Sequence, residues 1–227
     1  MTGVGALALA SLAFVGTHFV MSHPMRRSLI ERFGEKGFAG LYSLVALVTF
    51  GWMIWVYPSA SAEAPQLLWD AGPWGFNIAT LLMWFGSVLF VGSLRRNPAF
   101  PRPGKPIERI DEPNGVYAIT RHPMMWGFTL WSVVHAIVKP TTASLILCVA
   151  IAFLALVGAA MQDKKKAELL GPVWLDWRAK TSFVPYGRGL KSADGFALLF
   201  GTLLWLGATW AHGALGGRPA GVWAFLG

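Results

Sequence analysis

The sequence has little charge and almost no cysteine. Only 13% of its 227 residues are Asp, Glu, Lys or Arg, about half the share usual in a soluble domain. The single cysteine, Cys148, lies inside an apolar run, which excludes an intramolecular disulfide and a thiolate metal cluster. We interpret Cys148 as a small apolar core residue, and the scarcity of charge argues against a soluble protein.

Apolar residues make up 55% of the chain, and the mean hydropathy is +0.51. About 20 apolar residues are needed to cross the hydrocarbon core of a bilayer. The first apolar run has no basic flank or small-residue cleavage site, so we interpret it as a retained helix. The sequence therefore predicts an all-α polytopic membrane helix bundle in the lipid bilayer, a single membrane domain over 1–227. The six predicted spans are 3–21, 38–57, 74–94, 124–138, 141–161 and 195–212. The fourth of them is short.

The positive charge is confined to three blocks of the chain. The blocks 26–36, 95–121 and 164–191 hold all of the 19 basic residues except Lys139 and Arg218. With six crossings, the three blocks fall on one side of the membrane, and the positive-inside rule makes that side cytoplasmic. Both termini are then expected in the periplasm. The net charge of +8 thus sets orientation and gives no reason to expect nucleic acid as a partner.

Two of these cytoplasmic segments have a distinct composition. Residues 97–123 are rich in proline and end in Asn114-Gly115, so we expect an irregular, turn-filled loop. Residues 162–193 are charged and aromatic. Trp174 and Trp177 lie three residues apart there, which favours a helix with both indoles at the membrane interface.

Five histidines are present: His18, His23, His122, His135 and His212. His18, His135 and His212 fall within predicted spans, where an ionisable side chain is costly and suggests function. Such a histidine can simply bond a neighbouring carbonyl. Two histidines at similar depth can instead hold a haem iron, which commonly takes histidine as an axial ligand.

The depth of each intramembrane histidine follows from the helical rise. His18 lies about 12 Å and His135 about 16 Å from the cytoplasmic boundary, whereas His212 lies about 25 Å from it, near the outer face. The sequence therefore favours the pair His18 and His135. His23 and His212 remain open as replacements for one of them.

A separate motif, Arg121-His122-Pro123, opens the fourth span. Pro123 suits the first position of a helix. Arg121 and His122 would then lie at the helix start, where the helix dipole helps to hold an anionic group. A lipid phosphate anchor is the alternative interpretation.

These motifs resemble those of the NnrU family, over about residues 17–190, with the sixth span beyond them. The residues that carry the resemblance are His18 and the runs Gly34-Glu-Lys-Gly-Phe-Ala-Gly-Leu-Tyr42-Ser, Leu94-Arg-Arg-Asn-Pro98, Arg121-His-Pro-Met-Met-Trp-Gly-Phe-Thr-Leu-Trp131-Ser-Val-Val-His135 and Thr181-Ser-Phe-Val-Pro-Tyr186.

The resemblance implies a protein of the bacterial inner membrane associated with denitrification and nitric oxide metabolism, with respiratory or denitrification proteins as partners. The plant 15-cis-zeta-carotene isomerase is similar to this family. That similarity implies a haem b enzyme acting on a lipophilic polyene, with His18 and His135 as iron ligands and catalytic residues. Arg121, His122 and Trp131 are further candidate cofactor-binding residues.

A second resemblance points to isoprenylcysteine and phospholipid methyltransferases. These share Arg121-His122-Pro123 and Gly127, but Met125 stands where they have tyrosine. Gln162-Asp163 replaces their Glu-Glu pair, and Trp174 and Trp177 replace two tyrosines. The likeness implies a shared fold with an altered S-adenosylmethionine site, which would use Arg121, His122 and 162–166.

Three functions therefore stand as expectations from the sequence. The first is a membrane haem b protein of the NnrU type, with redox-controlled cis-trans isomerisation as its candidate activity. The second is an S-adenosylmethionine-dependent methyltransferase. The third is a non-catalytic assembly or sensing protein for nitric oxide respiration.

Overall fold

The structure is a computed structural model, which describes residues 3–98, 109–215 and 217–226. Those residues form helices and no strand, as predicted. The helices are α1 Val4–Ser22, α2 Arg26–Glu63, α3 Gly72–Gly92, α4 Val116–Ile119, α5 Pro123–Val138, α6 Thr142–Leu170, α7 Pro172–Lys180, α8 Gly195–Ala214 and α9 Trp223–Leu226. The prolines at 101, 103 and 106 and the basic residues Arg102 and Lys105 lie outside the described residues.

Five helices are long and apolar enough to cross a membrane: α1, α2, α3, α6 and α8. The apolar helix α5 has 16 residues and is therefore about 24 Å long, so the fourth predicted span is short, as expected. On α2, Leu47 is 68% and Trp55 81% exposed. Large apolar side chains that remain exposed along such a long helix are consistent with contact with lipid. The predicted polytopic helical fold is therefore confirmed.

Two helices extend well beyond their predicted spans. The basic segment after α1 is itself helical, because α2 begins at Arg26 and is interrupted at Gly34, where φ is +70°. That backbone conformation favours glycine. Helix α6 continues past Met161 to Leu170, since the lysines 164–166, Ala167 and Glu168 are good helix formers.

The described residues group into two compact units. The first contains 3–70 and 139–154, and the second contains 71–98, 109–138 and 155–226 without residue 216. In the first unit α1 packs against α2. The backbone N–H of Val4 donates to Glu63 Oε2 at 3.1 Å, joining the start of α1 to the end of α2.

In the second unit α3 packs against α5 and α8. The core includes Leu89, Tyr117, Trp174 and Trp177. The Tyr117 hydroxyl donates to the Ser93 carbonyl at 2.9 Å, and burial raises the pKa of this phenol. Trp174 is 0% and Trp177 4% exposed. The expectation that these indoles lie at the membrane interface is therefore wrong: α7 turns both of them into the protein core.

Glycines permit the close helix contacts of this unit. A Cβ atom on Gly201 of α8 would lie 2.6 Å from Val88 Cα and 2.9 Å from Val88 N on α3. Small residues at such crossings let helix backbones approach closely in membrane proteins.

We expect Gly201→Ala to lower the free energy of unfolding by about 1–3 kcal/mol, because the added methyl meets backbone atoms that cannot rotate away. Gly207→Ala is the matched control on the same helix, since a Cβ there meets no atom within 4 Å. Thermal unfolding in detergent, followed by far-ultraviolet circular dichroism, measures both. Equal melting temperatures for the two variants would contradict the close packing of α3 on α8.

Candidate functional site

His18 lies half-buried on α1, in the first unit. Its Nδ1 is 2.6 Å from the carbonyl oxygen of Phe14, one turn earlier. The ring centroid lies 4.4 Å from that of Phe14 and 5.4 Å from that of Tyr42 on α2. Two aromatic rings therefore fix the plane of this imidazole.

His135 lies half-buried on α5, in the second unit. Its Nδ1 is 2.8 Å from the carbonyl oxygen of Trp131. The imidazole stacks on the Trp131 indole, with centroids 4.1 Å apart and an interplanar angle of 28°. Trp131 was predicted to bind a cofactor; the structure shows it holding the ring of His135.

The structure also brings His212 of α8 close to His135, with ring centroids 6.2 Å apart. The Nδ1 of His212 lies 2.8 Å from the carbonyl oxygen of Ala208, and the residue is exposed. This proximity could not be seen from depth along single helices, because it depends on how α5 and α8 are placed around α3. His23, at the end of α1, instead contacts the Ser22 hydroxyl through Nδ1 at 2.7 Å.

The three intramembrane histidines share one tautomer. A carbonyl oxygen can only accept, so each Nδ1 must carry the hydrogen, and the lone pair lies on Nε2. Metal-ligating histidines are typically held in this way by a second hydrogen bond that fixes tautomer and ring orientation. His18 and His135 therefore each fit the role of an axial ligand to haem iron.

A second cluster joins the start of α5 to the charged end of α6. Arg121 contacts Asp163 Oδ2 through Nε at 2.7 Å and through Nη2 at 2.6 Å. His122 Nε2 lies 3.0 Å from the other carboxylate oxygen, Oδ1. The side chains of Arg121, His122 and Asp163 are 10%, 1% and 8% exposed. Both carboxylate oxygens are thus used within the protein.

The segment after α7 closes over this cluster. The backbone N–H of Arg121 donates to the Ser182 carbonyl at 2.8 Å. The Thr120 hydroxyl at 2.7 Å and the Trp126 indole at 2.8 Å both donate to the Phe183 carbonyl. The Arg121 guanidinium lies over the Phe183 ring, 5.4 Å from its centroid. Residues 181–183 are therefore tied to the start of α5.

The motif Arg121-His122 was expected to reach an external anion or a lipid phosphate. The anion that the structure places against both side chains is Asp163. From the sequence, Asp163 was expected in the altered S-adenosylmethionine site, in the place of a glutamate, and not as the ion-pair partner of Arg121. One sequence feature could have pointed to Asp163 as the partner. It is an aspartate at the end of an apolar helix, directly before three lysines, Lys164–Lys166.

A family model described as NnrU protein matches residues 6–220. The chain belongs to the NnrU family. The match extends beyond the range that carried the sequence resemblance, and it includes His212 and the whole of α8. No curated protein and no solved structure matches the chain.

Proposed function

We propose that this NnrU-family protein is a membrane haem b protein in which His18 and His135 are the axial ligands. The observation that carries the proposal is the shared arrangement of these histidines, each with Nδ1 bonded to the carbonyl one turn earlier. That hydrogen bond raises the basicity of the ring and directs Nε2 as the ligating atom. Their location on apolar helices adds to the support. Placing an ionisable side chain within the membrane costs free energy, so such a histidine usually has a function.

Haem bound there would supply a redox-active iron whose affinity for an axial ligand or for nitric oxide changes with oxidation state. The protein itself orients the two histidine side chains. Stacking on Trp131 and edge contact with Tyr42 restrict rotation of the two imidazoles. The activity we favour is redox-controlled cis-trans isomerisation of a lipophilic polyene that reaches the protein from the bilayer; a role in nitric oxide metabolism would use the same histidines.

The pairing of Arg121 and His122 with Asp163 weighs against the methyltransferase alternative. In that alternative these two side chains contribute to the S-adenosylmethionine site. Here both are directed at a buried carboxylate of the chain itself.

The test is a pyridine haemochrome spectrum of the full-length protein, purified in mild detergent from cells supplied with a haem precursor. We expect the absorption bands of haem b at about one haem per chain, as for a site with two histidine ligands. Folded protein that carries no haem after such expression, and binds none when hemin is added, would overturn the proposal.

A further inference from the structure

A cavity of about 610 Å³ lies in the second unit, beside α7 and the segment that follows it. Its lining includes three arginines: Arg121, Arg178 and Arg188. Among the described residues that line it, none is acidic. It is wide open to the surface, and its size falls within the range of about 300–1,000 Å³ usual for small-molecule sites. The cavity therefore combines room for a ligand with a concentration of positive charge.

The three arginines are not equivalent. Arg121 is neutralised by Asp163. Arg188 donates from Nε to the Thr181 carbonyl at 3.1 Å, which anchors its guanidinium and leaves its two terminal amino groups for other contacts. Arg178 lies on the last turn of α7. The ion pairs found in the described part of the chain involve neither Arg178 nor Arg188, and both of these side chains are exposed. Their guanidinium groups are therefore accessible to an anion that enters the cavity.

The surroundings of this charge favour an oxyanion. Guanidinium groups present planar, forked donors that match a phosphate, and such charge-assisted hydrogen bonds are the stronger class. The hydroxyl-bearing Ser182 and Gly187 also line the cavity. Arg178 also lines a second cavity of about 520 Å³, whose lining includes Lys164 together with the carboxylates of Asp163 and Glu168. This region lies at the charged end of α6, where a membrane span gives way to polar sequence.

We propose that this cavity binds a phosphate group, with Arg178 and Arg188 as the recognising side chains. The phosphate can belong to an anionic lipid headgroup or to a soluble phosphate, since both present the same oxyanion. The site is independent of the haem proposal, because it uses neither His18 nor His135.

The experiment titrates full-length protein in detergent with phosphatidylglycerol, with phosphatidylcholine and with inorganic phosphate. Native mass spectrometry detects the two lipids, and calorimetry detects inorganic phosphate. The test variant is R178A/R188A. The control is Lys180→Ala, which also removes a positive charge from the end of α7 but does so outside the cavity, where Lys180 pairs with Glu112 and Asp176.

We expect saturable binding of phosphatidylglycerol, of inorganic phosphate or of both, and at least about tenfold weaker binding by R178A/R188A, since two charge-assisted contacts are lost. Lys180→Ala should bind as the unaltered protein does. Binding of the lipid alone identifies a headgroup site, and binding of inorganic phosphate identifies a soluble ligand. Binding that is unchanged in R178A/R188A, saturable binding of both lipids with the same affinity, or no binding of any probe would overturn the proposal.

Discussion

Replacing both His18 and His135 by alanine is expected to remove haem from the purified protein. Loss of a residue that only orients a metal ligand typically weakens binding about 10–100-fold, and here both proposed ligands are lost. The measurement is the ratio of haem to protein from the pyridine haemochrome spectrum. Circular dichroism must show that the double variant is folded. Full haem loading of the folded double variant would rule out both residues as the ligands.

The single variants also test which histidines are the ligands, because His212 is an alternative to one of the two proposed axial ligands. Its ring centroid is 6.2 Å from that of His135, and its Nδ1 makes the same kind of hydrogen bond. We expect His18→Ala and His135→Ala each to change the haem spectrum, and His212→Ala to leave it unaltered. If His212→Ala changes the spectrum while His18→Ala does not, the second ligand is His212 and the assignment of His18 is wrong.

The sequence predicted the long apolar helices but not what surrounds each of them. Long apolar runs predicted the spans, and Pro123 correctly marked the start of α5, because both depend on neighbouring residues alone. The spacing of Trp174 and Trp177 correctly indicated a helix. It could not show whether their shared face meets lipid or protein, since indoles are common in both environments. The answer depends on Leu89 and Tyr117, which come from distant parts of the chain.

The candidate sites also combine contacts set by neighbouring residues with contacts between distant parts of the chain. The hydrogen bonds of His18 and His135 to carbonyls on their own helices follow from local geometry. The partner of Arg121 and His122 lies some forty residues further on, at Asp163, and no local pattern identifies a contact over that separation. The approach of His212 to His135 likewise depends on the packing of α5 and α8 on α3. Hydrophobic periodicity cannot reveal it, because every face of such helices is apolar.

The second large effect is expected from Asp163→Asn. The substitution keeps the size of the side chain but removes the carboxylate that pairs with the guanidinium of Arg121, whose side chain is 10% exposed. Breaking a buried ion pair from one side costs about 3–5 kcal/mol, because the remaining charge stays buried without compensation. We therefore expect a large fall in the melting temperature in detergent, measured by circular dichroism.

The matched control is Asp176→Asn. That carboxylate also pairs with a basic side chain, Lys180, but its side chain is 65% exposed, and such surface pairs contribute about 0–1 kcal/mol. An additional Arg121→Met should recover part of the stability lost in Asp163→Asn, because it removes the unpaired charge. Two results would contradict this role of the Arg121–Asp163 pair in holding the start of α5 to the end of α6. One is an equal melting temperature for Asp163→Asn and Asp176→Asn. The other is a double variant whose loss of stability equals the sum of the losses in Asp163→Asn and Arg121→Met alone.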